Sequence, residues 1–310
     1  MAAKKVTTGR ILEVLASGRS SLRGRDERVV VRVHVDPTCP RDVALAVKEA
    51  LVPQRSGTIV EVRGLEASAP EGEGPDVVIV LVGSRPCAQL VESYARAGVR
   101  VGMVVEGALD APRLDLPEQA EPLVGVIASA DPSALPDRLA AWLAASCDKP
   151  LAIAAGLPFC RRAVADALVA RCAAENAVVG AISLIPGSDF PVMCANQAKL
   201  ALDLAAAYGR DVEPARVLEL GGVVAGGLLW RGVARAVLGS VPGFGALLKA
   251  GIGYGGTLAT GNALRLRFEL EDQPREEPRA KTRPEPAASP VLLSGAPADD
   301  GYVTIGGERS

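Results

Sequence analysis

The sequence predicts an α/β domain on a mainly parallel sheet, followed by an all-α, glycine-rich helical domain. Three observations point there. Short β-rich runs alternate with helix-period stretches in the first half, the β pattern stops after Lys149-Pro150, and the apolar stretch 217–264 is rich in glycine. Composition agrees: 49% of residues are hydrophobic but only 3% aromatic, so the core must be built from Ala, Val and Leu, with Gly letting backbones approach closely. At 310 residues the chain is longer than a usual single domain, which fits two compact units and a tail.

Taken in order, residues 9–18 have the pattern of a short leading helix, and the Gly, Ser and Arg cluster from Gly18 to Arg28 reads as a loop, so 1–27 is an N-terminal helix and loop. The β-rich runs are Val29–Val35, Thr58–Arg63, Asp76–Val82, Val99–Val105 and Leu123–Ala128. Between them, Pro40 leads into Val43, Ala44, Val47 and Leu51, and Pro86 precedes Leu90, Val91 and Tyr94, with Gly98 as the stop. Asp131-Pro132 opens a helix carrying Leu135, Leu139, Trp142 and Leu143, which completes an α/β domain over 28–150.

The helical domain spans 151–271. Arg161–Glu175 is its first clear helix, with Arg162/Asp166 and Arg171/Glu175 four residues apart on a solvated side. The turn Ile185-Pro186-Gly187-Ser188-Asp189 leads into a helix that runs to Tyr208 and is closed by Gly209. Residues 217–264 then read as a helical hairpin broken at Val241-Pro242-Gly243. Prolines 274, 278, 284, 286 and 290 make 272–310 a disordered tail.

The chemistry is defined mostly by exclusion. Lysine plus arginine number 34 against 36 acidic residues, which supplies no field for nucleic acid. The six cysteines form no C-x-x-C pair, so they read as reduced, mostly buried thiols, and the N-terminus has no export signal; both indicate an intracellular protein. His34, the only histidine, lies in an alternating strand and reads as a sheet residue rather than part of a triad or zinc site.

Where a phosphate loop would follow the first strand stands Asp36-Pro37-Thr38-Cys39-Pro40. Two prolines remove donors and Asp36 repels phosphate. Gly83-Ser84-Arg85 lies between a strand and a helix, where an anion could meet the helix dipole and an arginine, although a plain turn explains it more simply. Glu106 with Asp110, or Glu219, could be posed as acid and base, yet nothing converges on either. No catalytic, cofactor-binding or metal-ligating residue is assigned, and no cofactor is expected.

The hairpin holds the most functional content. Gly222/Gly226, near Trp230, and Gly251/Gly255 put small residues four apart, the spacing that lets apolar helices pack closely in membranes and in soluble cores alike. Glu219, Arg231, Arg235 and Lys249 interrupt the run of about 20 apolar residues that a clean span needs. Short or re-entrant membrane helices, interfacial attachment and a buried soluble hairpin all stay open.

The ordered set Ile185-Pro186-Gly187-Ser188-Asp189-Phe190-Pro191-Val192, Asn196-Gln197, Leu204-Ala205-Ala206-Ala207-Tyr208-Gly209 and Val241-Pro242-Gly243-Phe244-Gly245 resembles the bacterial family called domain of unknown function 697, over about residues 160–268. Its members occur as inner-membrane proteins and as C-terminal partners of Era-like GTPase domains. The resemblance therefore implies a membrane-linked or GTPase-linked role and makes the front half a degenerate GTPase-like domain. Asp76–Val82 and Val99–Gly107 take the places of its core and guanine-reading strands, but Val105-Glu106-Gly107-Ala108 replaces the Asn-Lys-x-Asp motif. Ser129-Ala130 resembles its closing Ser-Ala element.

The resulting expectation is a non-catalytic scaffold or adaptor at the cytoplasmic membrane face, or on a partner helix, held through residues 217–264. The α/β domain then serves as a protein-binding module. The alternative is a nucleotide-responsive regulator that uses Asp36–Arg41 or Gly83–Arg85.

Overall fold

A computed structural model describes residues 18–65, 74–182, 190–211 and 245–272. Strands β1 (Val29–Val35), β2 (Thr58–Gly64), β3 (Val77–Leu81), β4 (Arg100–Val105) and β5 (Val124–Ala128) form one sheet in the order β2-β1-β3-β4-β5. Every neighbouring pair is parallel, in agreement with the β-rich runs to within a residue or two. The helices are α1 (residues 18–26), α2 (Arg41–Ala50), α3 (Ala88–Arg96), α4 (Leu135–Ser146), α5 (Pro150–Gly156), α6 (Arg161–Ile182), α7 (Phe190–Ala207) and α8 (Gly245–Asp272).

Alternation along the strands sends side chains to two cores. Val29, Val31, Val33, Ile79 and Leu81 meet α2 and α4 through Val43, Val47, Leu139 and Leu143. Val78, Val80, Val101 and Met103 meet α3 through Leu90, Val91 and Tyr94 on the opposite face. Helices on both faces of a parallel sheet make the first half doubly wound. The first core does not stop at Pro150: it continues through Ile153, Leu157, Val164, Leu204, Leu264 and Phe268, so residues up to Glu271 fall in one compact unit.

Two helix stops behave as their glycines predict. Gly98 (φ 80°) ends α3 and Gly209 (φ 70°) ends α7, with Val99 N donating to Tyr94 O and Arg210 N to Ala205 O. A different pair of glycines serves the sheet. Gly102 and Gly125 are register partners on β4 and β5, and Trp142 of α4 lies over both: a Cβ on Gly102 would come within 2.8 Å of the ring.

Residues 18–26 depart from expectation, since they form α1 and not a loop. Tertiary contacts override their weak helix propensity: Ser21 Oγ donates to Asp203 (2.6 Å), and the buried Arg25 donates to Asp211 (2.7 Å) and the Arg210 carbonyl (3.0 Å). The charge pairing on α6 also differs. Arg171 does meet Glu175 (3.0 Å), but Asp166 pairs with Arg265 of α8 (2.7 Å). The stretch after Gly243, expected as the second arm of a hairpin, is α8, which runs on to Asp272. Gly222, Gly226, Trp230, Pro242 and Gly243 lie outside the described residues, as do Pro186, Gly187, Asp189, residues 9–17 and the expected tail beyond Asp272.

Candidate functional site

In a doubly wound sheet of this order the connections leave β1 and β3 in opposite directions, which opens a crevice at the carboxyl ends of those two strands where ligands ordinarily bind. The two loops singled out in the sequence, Asp36–Arg41 and Gly83–Arg85, are the walls of that crevice. They are tied to each other. Asp36, 1% exposed, accepts from Thr38 N (2.9 Å), Thr38 Oγ1 (2.8 Å) and Arg85 N (2.8 Å). Thr38 Oγ1 in turn accepts from Ser84 N (2.8 Å) and lies 2.9 Å from Ser84 Oγ. The approach requires glycine at 83, where a Cβ would sit 2.8 Å from the Asp36 carboxylate and collide with Thr38.

The chemical meaning is specific. Successive amides at a strand-to-helix turn are what a phosphate would use. Here the amides of Ser84 and Arg85 are taken by an oxygen of Thr38 and one of Asp36. Burial pushes the Asp36 carboxyl up, but the hydrogen bonds from Thr38 and Arg85, with the Arg85 charge, outweigh it and hold the group below its ordinary value. The carboxylate thus stands as an internal anion where an external one would bind. Asp36 was legible as a repellent of phosphate; Thr38 and Ser84 were not singled out, although Asp-x-Thr is a known local turn pattern.

A second polar cluster lies on the α3 face of β1. His34 is fully buried, with Nδ1 3.0 Å from Gly64 O and Nε2 3.0 Å from the Tyr94 hydroxyl, which also accepts from Arg32 (3.2 Å). Every partner is satisfied when Nδ1 carries the proton and the Tyr94 hydroxyl donates to Nε2. Arg32 completes the chain with an ion pair to Glu61 (2.8 Å). The sheet reading of His34 therefore holds.

Of the posed carboxylates, Asp110 has a local role. Asp110 accepts from Gly107 N (2.8 Å) and caps the short turn Ala108–Asp110, where a base-reading loop would be sought. Ser129 Oγ donates to Asp131 O (2.6 Å). Glu219 lies outside the described residues. All six cysteines are free; burial pushes Cys147 up to about 11 and Cys160 further still, so neither thiol ionises near neutrality.

In the helical half, two glycines of α8 pack closely among the described residues. A Cβ at Gly251 or Gly255 meets nothing among the described residues. At Gly253 it would lie 2.6 Å from the Asn176 carbonyl, and at Gly261 2.7 Å from Val169, so these two admit α6 against α8. Beside them, Asn196 donates to Asn176 (2.9 Å), Asn176 to Thr257 (2.9 Å), and Thr257 to Gly253 O (2.7 Å). This neutral chain joins α6, α7 and α8. Among the described residues, no helix is long and apolar enough to cross a membrane. A groove of about 450 Å³ between α4 and α6 is lined by Ala140, Ala144, Ala163 and Phe159, with Asp137, Arg162 and Asp166 at its polar positions.

The fold and the crevice together define a doubly wound α/β domain, the loops at its β1 and β3 ends bonded to each other, sharing one core with a helical bundle. Comparison with known proteins finds no matching family model, no similar curated protein and no similar solved structure.

Proposed function

We propose that the chain is a non-catalytic scaffold or adaptor that attaches to the cytoplasmic face of a membrane, or to a partner protein, through its glycine-rich helical half. The α/β half acts as a protein-binding module. The observation that carries this reading is the closure of the β1/β3 crevice: Asp36 and Thr38 use the amides that a phosphorylated substrate would need. The resemblance of residues 160–268 to a family with inner-membrane members supports the membrane arm.

Fractionation of cells containing the full-length protein tests it. Retention in the membrane pellet through high salt and then alkaline carbonate is the expected result for an embedded hairpin, and release by salt alone marks peripheral attachment. Gly222→Leu with Gly226→Leu should abolish retention if the first arm packs by its glycines. A protein that stays wholly in the soluble fraction sinks the membrane arm.

A second reading, a nucleotide-responsive regulator, is favoured by the meeting of the two candidate loops with the exposed Arg85 at their edge. It requires a nucleotide to displace Asp36. Saturable binding of a nucleoside triphosphate that is lost in Arg85→Ala would support it, and the absence of any binding would remove it.

A further inference from the structure

The two edges of the sheet are unlike. β2 carries Glu61 and Arg63, and charged side chains on an edge strand oppose its pairing with another chain. At β5 no residue from Pro122 to Ala130 is charged. Residues 74–182 are described without a break, so the elements that flank β5 in the chain are complete.

In a parallel pair a residue directs both its N–H and its C=O to one neighbour, and the next residue directs both away. Ser129 N donates to Val105 O (3.1 Å), so Gly125 and Ile127 also bond to β4. Val124, Val126 and Ala128 therefore turn their backbone groups to the open edge. Two of those groups are already used: Val124 N donates to Glu121 O, and Ala128 O accepts from the Arg138 guanidinium. Among the described residues, Val124 O, Val126 N, Val126 O and Ala128 N have no partner.

The open groups match one another. An antiparallel pairing about a two-fold axis at Val126 sets Val126 against itself, exchanging both bonds, and sets Val124 against Ala128 of the second copy. Ala128 N of each copy then donates to Val124 O of the other. The groups left facing each other are Val124 N and Ala128 O, the two that the chain has already satisfied. The side chains agree. Val126 is 48% exposed, and the fully exposed Leu109 belongs to the turn Ala108–Asp110, which packs against β5.

We propose that the open edge of β5 pairs antiparallel with β5 of a second copy of this chain, joining the two sheets into one. This rests on the reading of the α/β half as a protein-binding module and gives that module its partner. The pairing covers the Val126 side chain on the α3 face of the sheet, where Val124 and Ala128 already pack.

Sedimentation of the full-length protein between about 1 and 100 μM is expected to show a dimer. Val126→Lys sets two lysines directly opposite each other and should raise the dimer dissociation constant by about tenfold or more. Val62→Lys, at a 69% exposed position on the other edge, should leave it unchanged. Hydrogen exchange of the wild type reads the register without any substitution. The amides of Val126 and Ala128 should gain protection as the protein is concentrated, whereas those of Gly125 and Ile127, bonded to β4, are protected throughout.

A dimer that persists unchanged in Val126→Lys, or one whose Val126 and Ala128 amides exchange freely, overturns the edge pairing. A monomer at every concentration overturns it too, and hydrogen exchange then separates the two readings. Free exchange at Val126 and Ala128 leaves the edge open to a strand of another protein, so the scaffold reading survives. Protection in the monomer shows the chain closing its own edge, and the binding module falls with the dimer.

Discussion

At the β1/β3 crevice the buried polar groups are centred on a charge, Asp36, whereas between α6, α7 and α8 the hydrogen-bonded chain is neutral: the buried Asn176 and Thr257 and the half-buried Asn196. The difference follows from what surrounds them. The crevice supplies several donors from the chain's own loops, enough to hold a carboxylate ionised. The helical interior supplies single amide and hydroxyl partners, enough for neutral groups but not for an unpaired charge. The first arrangement occupies the amides of Ser84 and Arg85 from within; the second ties three helices together at the close approach of α6 and α8.

The most severe way to break this comparison is through the glycines that admit the neutral chain. Gly253→Ala drives a Cβ to 2.6 Å from the Asn176 carbonyl, and a backbone atom cannot move aside cheaply. A loss of about 3 kcal/mol is expected in urea unfolding, at the upper end for overpacking. Gly255→Ala, two residues away and with no described residue within 4 Å of the new Cβ, should instead gain up to about 1 kcal/mol from helix propensity. Equal effects at the two positions would mean that α8 is rotated from the register described.

Next in size is Asp36→Ala, which leaves the Thr38 and Arg85 amides without their acceptor. About 2 kcal/mol of stability at pH 7 is expected to go, the usual scale for hydrogen bonds to a charged group. The sign of its pH dependence follows from the lowered folded-state value. The unfolded chain binds the proton more readily, so Asp36 stabilises fully above an unfolded value of about 4, and the contribution fades as pH falls through the folded one. The gap between wild type and Asp36→Ala should therefore narrow on acidification, while the gap for Asn176→Ala stays flat. Parallel behaviour of the two variants would show that the crevice is not held by an ionised Asp36.

A sharper version asks what the crevice would do if opened. Asp36→Gly with Thr38→Gly frees the Ser84 and Arg85 amides beside the Arg85 side chain. Inorganic phosphate is then expected to bind the variant at millimolar concentration, worth about 4 kcal/mol, and not the wild type. Calorimetry or phosphate-dependent melting would decide it.

How far these features could be read in advance depended on the range of the interactions. The five strands and the stops at Gly98 and Gly209 rest on local pattern and backbone sterics, and they were legible to within a residue or two. Residues 18–26 read as a loop because their helix is held by partners some 180 residues away, Asp203 and Asp211. On α8 the pair spacing drew attention to Gly251 and Gly255, but Leu264 and Phe268 set the buried face. Counted back in steps of three and four, that face reaches Gly261, Thr257 and Gly253. Gly102 and Gly125 gave no signal until their register placed them under one tryptophan. Asp36 was seen as a repellent of phosphate but not as its replacement, because the amide of Arg85 lies 49 residues away.

The smallest expected effects separate two kinds of surface charge on α6. Arg171 and Glu175 satisfy the helical spacing the sequence offers, yet Arg171 is 80% exposed, and water screens most of what the pair could contribute. Arg171→Ala should cost no more than about 0.5 kcal/mol. Arg265 is only 18% exposed and reaches Asp166 from another helix, so Arg265→Ala should cost more, about 1 kcal/mol, and lose less of that effect in high salt. A double-mutant cycle on Arg265 and Asp166 isolates the pair from the packing of the arginine stem. A coupling no larger than that of Arg171 with Glu175 would mean that α8 is held on α6 by Gly261 and the neutral chain alone, without help from its charged end.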